Sequence, residues 1–129
     1  MIERRSFPNQ ASAVAAARSF VLSAVPDLAQ TTRERIELMV SELTTNAVKH
    51  AHSPFNVTVV TDLDRVRVEV NDEGEKPPVP RRPAPTDVSG RGLVIVQALS
   101  DEWGVDVHDG DKTVWFSLRV QPGRVASPR

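Results

Sequence analysis

The sequence predicts a two-layer α+β sandwich, a mixed, mostly antiparallel sheet with its helices on one face. Helical and alternating apolar periods occupy separate segments of the chain, so the order of elements reads strand, helix, helix, strand, strand, loop, helix, strand, strand. The strands that follow one another directly are joined by short polar turns, which makes those pairs antiparallel hairpins. Within the clearest strand, valines alternate with charged residues, so only one face of the sheet is buried.

Glu3 to Phe7 is short and charged and reads as an edge strand ending at Pro8. The Ala-rich run Ala13 to Ala24 is strong helix, with Val14, Ala17, Phe20, Val21 and Ala24 on one face, and Pro26-Asp27 stops it. Thr31 stands three residues ahead of Glu34, the spacing of a capping box, and predicts the start of a helix that runs to about His50. Asn56 to Thr61 and Arg65 to Val70 form a hairpin around Asp62-Leu63-Asp64. Glu73 to Ser89 carries five prolines and no apolar period, so a long surface loop is expected, with a helix resuming at Gly90 and ending before Asp101. Trp103 to His108 and Lys112 to Val120 close the sheet as a hairpin around Asp109-Gly110, a favoured two-residue turn. One domain is expected over 1-120, with a disordered tail over 121-129.

Composition narrows the function classes. With 129 residues the chain is long enough to bury a core, and 40% hydrophobic with 26% charged residues is ordinary for a water-soluble protein. A net charge of -1 gives no electrostatic case for direct nucleic-acid binding. The lack of cysteine excludes disulfides, thiolate metal sites and cysteine nucleophiles, and fits a reducing compartment. No apolar run approaches membrane-spanning length and no leader is visible, so a cytoplasmic protein without membrane contact is expected.

The chemistry concentrates in Glu42-Leu43-Thr44-Thr45-Asn46-Ala47-Val48-Lys49-His50. Ile36, Met39, Val40, Leu43 and Ala47 make one apolar stripe, and Glu42, Asn46 and Lys49, four and three residues apart, stack as a polar ridge along its border. Two readings stay open: a solvated flank with an internal Glu42 to Lys49 network, or the wall of a wet cavity, because polar groups at a core edge are costly without a partner. Asp72 continues the inward phase of Val66, Val68 and Val70, and an inward carboxylate wants a donor such as a purine amino group. Against that stands a strand-end Asp that swings into the turn. Gly74 allows close backbone approach to a flat ligand, or simply a turn. Ser89-Gly90-Arg91-Gly92-Leu93 places a glycine pair where a helix is expected to open, which is either an anion site or a plain cap.

As an ordered set these features closely resemble the Bergerat-fold, histidine kinase-like ATPases, from about Phe7 to Leu118. Within them the chain is similar to the small bacterial anti-sigma factor serine kinases, which phosphorylate anti-anti-sigma proteins. The resemblance implies ATP and Mg²⁺ as cofactors, with Asn46 as the metal ligand and Glu42 as the general base. It implies that Asp72 and Gly74 bind adenine, that Gly90, Arg91, Gly92 and Leu93 bind phosphate, and that Glu75 to Ser89 forms a lid. Lys49 and Arg91 are the cations within reach of the phosphates.

The implied partners are an anti-anti-sigma factor of the STAS type and a sigma factor, and the sheet face bearing Arg65, Arg67 and Glu69 suits a homodimer. Two departures from the family pattern are visible. Glu75 stands where many relatives carry a second glycine, and Lys112 is in phase with inward Val114, Phe116 and Leu118 while Thr113 faces away, which leaves Thr113 out of the site. The alternative function is a non-catalytic, ATP-binding module that sequesters a sigma factor or signalling partner. The ATP-binding half of a histidine kinase ranks below both, since no dimerisation helix with a phosphoacceptor histidine precedes the domain. His50 and His52 with Asp62 read as a helix cap and surface groups rather than a metal site, and Trp103 and Trp115 as hairpin core or interface.

Overall fold

The computed structural model describes residues 1–51, 53–72 and 86–120, with the backbone alone for 86–92. The expected loop up to residue 85, the tail, His52, Gly74 and Glu75 lie outside the described residues. The elements are β1 (Ile2–Phe7), α1 (Ala13–Ala24), α2 (Gln30–His50), β2 (Phe55–Thr61), β3 (Arg65–Asp72), α3 (Thr86–Leu99), β4 (Glu102–His108) and β5 (Asp111–Arg119).

The five strands form one sheet in the order β1-β2-β3-β5-β4, and every neighbouring pair is antiparallel. The sheet is therefore not mixed. A helical crossover such as α3 returns the chain in the same direction, so β4 does run parallel to β3. It takes the outer edge, however, and β5 folds back into the gap between them, so no parallel pair is hydrogen-bonded.

Alternation in β2, β3 and β5 sends Phe55, Val57, Val59, Val66, Val68, Phe116 and Leu118 to one face, where each is at most 3% exposed beneath the helices. Each such side chain contributes about 1.5–3 kcal/mol by leaving water. Ala13, Ala17 and Val21 of α1 and the predicted stripe of α2 face the same layer. α1 ends where Pro26 follows Val25, whose N–H still reaches the carbonyl of Val21 at 3.2 Å.

The start of α2 corrects the capping box. Ala29 is the N-cap, no side chain caps it, and Thr31 lies inside the helix. Gln30 instead donates to Glu34 at 3.1 Å, one turn along. The other end is tied down from a distance: Asn9 Nδ2, in the β1–α1 connection, donates to the carbonyls of Ala51 at 2.9 Å and Ser53 at 3.2 Å. Both carbonyls lie just past the end of α2, where no N–H of the helix is available to them.

The turns follow their sequences. Asp62 Oδ1 accepts from the Asp64 N–H at 3.3 Å, and Asp109 and Gly110 have φ of 42° and 84°, the left-handed pair that a tight two-residue hairpin requires.

The tryptophans part company. Trp103 packs against the core, whereas Trp115 lies on the outer sheet face. There the Arg67 guanidinium sits 3.9 Å over its ring and bonds Glu69 at 2.8 Å. Opposite Trp115 is Gly104, where an added Cβ would come within 2.7 Å of the indole. Because Arg67 stacks on the indole, its room to yield is limited. Gly104→Ala is expected to destabilise the protein by about 1–3 kcal/mol through overpacking. A urea midpoint equal to wild type would show that the indole yields freely.

Candidate functional site

Of α2's side chains, Ile36, Met39, Val40, Leu43 and Ala47 are buried as expected, and Thr44 joins them, its hydroxyl satisfied by the Val40 carbonyl at 2.7 Å. At about 100° per residue, two polar flanks border that stripe. One carries Glu37 and Ser41, which meet Arg18 of α1 at 3.8 Å and 3.1 Å. The other carries Glu42, Asn46 and Lys49 and so faces away from α1, on the side left to α3, which also packs on α2.

Glu42 and Asn46 are half-buried and Lys49 is exposed. Among the described residues the ion pairs are Arg18–Glu37, Arg65–Glu102 and Arg67–Glu69, so the internal Glu42 to Lys49 network is not formed. Asn46 Nδ2 is buried with no hydrogen-bond partner among the described residues. Such a group is costly unless something pairs with it, which makes the flank a candidate ligand site.

Asp72 does face inward and is 5% exposed. β3 runs two residues further than expected, which carries Asp72 into the sheet opposite Phe55 of β2 and Lys112 of β5. Since Phe55 follows closely on the C-terminal end of α2, the register puts Asp72 at the same end of the molecule as Asn46 and Lys49. On the reverse face Asn71 Nδ2 donates to Thr113 Oγ1 at 2.8 Å and lies 3.4 Å from the Lys112 carbonyl. Thr113 thus faces away from Asp72, as its phase requires. The latch was legible only as two polar residues in register, a pairing visible once β3 and β5 are known neighbours.

The glycine pair is placed differently from expectation. α3 begins at Thr86, four residues before Gly90, so Gly90, Arg91 and Gly92 lie in the helical segment rather than at its opening. Leu93 is 5% exposed and belongs to the core. Asp62 is at the far end of β2 from His50, about 20 Å away by strand rise, so the two do not share a metal site. A groove of about 300 Å³ lined by Arg18, Glu34, Glu37, Leu38 and Ser41 lies on the opposite flank of α2 and contains none of the predicted site residues. No described helix is long and apolar enough to cross a membrane.

The described residues thus form a helix-covered antiparallel sheet with Glu42 and Asn46 on one flank of α2 and Asp72 at a strand end on the same side of the molecule as Asn46. The chain belongs to the histidine kinase-like ATPase domain family, which it matches over residues 7–118. That membership implies ATP binding. No curated protein shows a match to the chain. Among solved structures it is similar to the crystal structure of the RsbU and RsbW domains of Rv1364c from Mycobacterium tuberculosis, with a TM-score of 0.72 and 19% identity. That alignment covers 98% of this chain and 35% of the other, so the chain spans about a third of that protein and the likeness is one of fold.

Proposed function

We propose that the chain is an ATP-dependent protein-serine/threonine kinase that phosphorylates a STAS-type anti-anti-sigma factor and, by switching partners, regulates a sigma factor in the cytoplasm. The observation that carries this reading is the α2 flank, where the buried Asn46 Nδ2, without a hydrogen-bond partner among the described residues, lies one turn from a Glu42 carboxylate that no cation neutralises among those residues.

Asn46 fits a Mg²⁺–nucleotide complex, because its amide presents an oxygen to a hard cation and the assignment of amide O and N is interchangeable. Mg²⁺ would neutralise the phosphate charge and align the terminal phosphoryl group. Asp72 would accept a hydrogen bond from the adenine amino group. The glycines of α3, with Arg91 and Leu93, would line the phosphates, and Lys49 would supply a further cation. Glu42 would take the proton of the attacking serine hydroxyl as its oxygen bonds the terminal phosphorus, the bridging P–O bond breaks and ADP leaves.

Asp72→Asn is expected to weaken ATP binding about tenfold or more, since a charge-assisted bond is lost and a donor faces a donor. Unchanged affinity by calorimetry in the folded variant would remove the adenine assignment.

The test of the whole reading is transfer. Purified protein with terminally labelled ATP, Mg²⁺ and a STAS-type anti-anti-sigma protein should place label on a serine or threonine of that protein. A stable complex with the STAS protein that never acquires label would replace the kinase with the non-catalytic sequestering module.

A further inference from the structure

The two edges of the sheet are built differently. On β1 the positions in phase with buried Phe7 are Glu3 and Arg5, opposite the buried Val59 and Val57. Charges on the inner face of an edge strand deter a further strand from pairing there. β4, the other edge, has no charge on that face: Trp103, Val105 and Val107 lie opposite Phe116, Val114 and Lys112. Trp103 packs against the core, but Val105 is 37% and Val107 66% exposed, so the apolar face opens toward the hairpin turn.

The backbone of the same residues is open as well. The Asp109-Gly110 turn has positive φ at both positions, the type whose flanking pair, here His108 and Asp111, is hydrogen-bonded. Bonded and non-bonded pairs alternate along an antiparallel ladder. Val107 and Val105 therefore turn their N–H and C=O groups to the free edge, where no strand pairs with β4 among the described residues. A strand laid along this edge would meet the two valines on the inner face and Asp106 on the outer face.

Charge selects the occupant. From 101 to 112 the chain carries Asp101, Glu102, Asp106, Asp109 and Asp111, against Lys112 as the single lysine or arginine. Glu102 shares its charge with Arg65 at 3.8 Å, and Asp101 accepts from the Arg119 N–H at 2.7 Å. Asp106 and Asp109 are in no ion pair among the described residues. A second copy paired through β4 would set two acidic edges side by side, where like charges repel. We propose that β4 is a docking edge for a partner protein, which adds an extended segment of alternating apolar and basic residues as a sixth strand. Main-chain hydrogen bonds supply the affinity, the valines receive the apolar side chains, and Asp106 with the turn carboxylates selects the basic ones. The proposal does not depend on the nucleotide reading of α2 and Asp72.

The experiment is backbone amide hydrogen exchange of the full chain, read residue by residue by NMR, with and without a capped heptapeptide of alternating lysine and valine. At saturating peptide, exchange of the Val105 and Val107 amides should slow by about tenfold or more while the β1 amides do not change. The same peptide with glutamate for lysine should bind about tenfold more weakly. Val107→Pro, which removes an N–H facing the free edge and none from the ladder to β5, should weaken the lysine peptide about tenfold. Asp106→Asn, an exposed substitution that leaves the fold intact, should weaken it about threefold. No protection of Val105 and Val107, protection of β1 instead, equal binding of the two peptides, or full affinity in Val107→Pro would each overturn the proposal. Protection already present in the protein alone at every dilution would assign the edge to another part of this chain, and protection that grows with protein concentration would assign it to a second copy. Either result overturns the partner segment as the occupant.

Discussion

Glu42→Gln should leave ATP and Mg²⁺ binding within about threefold of wild type while phosphate transfer to the STAS protein falls by about 10² to 10⁴, the usual worth of a positioned general base. The substitution keeps the shape and one oxygen of the side chain and removes only its capacity to take a proton. Glu42 is half-buried on the flank of α2 turned from α1 and is in no ion pair among the described residues. Neutralising it therefore strands no buried cation, and stability should change by no more than about 0.5 kcal/mol. A thermal melt in parallel with the transfer assay checks this. Equal transfer by wild type and variant would show that the proton is taken elsewhere and would remove Glu42 from catalysis.

The separation of binding from chemistry depends on how Glu42 and Asn46 are held, and much of that is legible in the sequence. The stripe Ile36, Met39, Val40, Leu43 and Ala47 is long, periodic and unbroken, so it dictates which flank of α2 is left for Glu42 and Asn46. The alternation of β3 projects Asp72 inward with no knowledge of its partners, because a period of two leaves no other face.

Local end signals were poorer guides. Thr31 and Glu34 have capping-box spacing, yet α2 begins at Gln30, two residues earlier than that spacing requires, which moves Thr31 from cap to helix. Gly90 and Gly92 read as an opening because each costs about 1 kcal/mol inside a helix. α3 nevertheless begins at Thr86, and the buried Leu93 and Val96 hold its later turns to the core. Tertiary packing outweighs the glycine penalty.

What the sequence left unstated are contacts between distant segments. Asn9 reaches the end of α2 across 42 residues, and Asn71 reaches Thr113 across 42. Neither partner can be named until the chain is folded. The place of β4 at the outer edge is similar: hairpin signals join β4 to β5, but nothing local says which of them meets β3. That choice matters for the site, since it sets Lys112 opposite Asp72.

Asn46→Ala is expected to move binding and stability in opposite directions. The Nδ2 of Asn46 is buried and makes no hydrogen bond among the described residues, so truncation removes a desolvated polar group without breaking a bond. Alanine is also the stronger helix former, by up to about 0.7 kcal/mol. The ligand-free variant should therefore melt at or above the wild-type temperature. Mg²⁺-dependent ATP binding should fall by about 100-fold or more, at least the loss seen when even an outer partner of a metal site is removed. Transfer should fall with it, in contrast to Glu42→Gln. The pairing of unchanged or raised stability with lost binding is the mark of a residue kept for its ligand at some cost to the fold. If Asn46→Ala instead unfolds at lower temperature and binds ATP with wild-type affinity, the amide is structural and the metal is held by other groups.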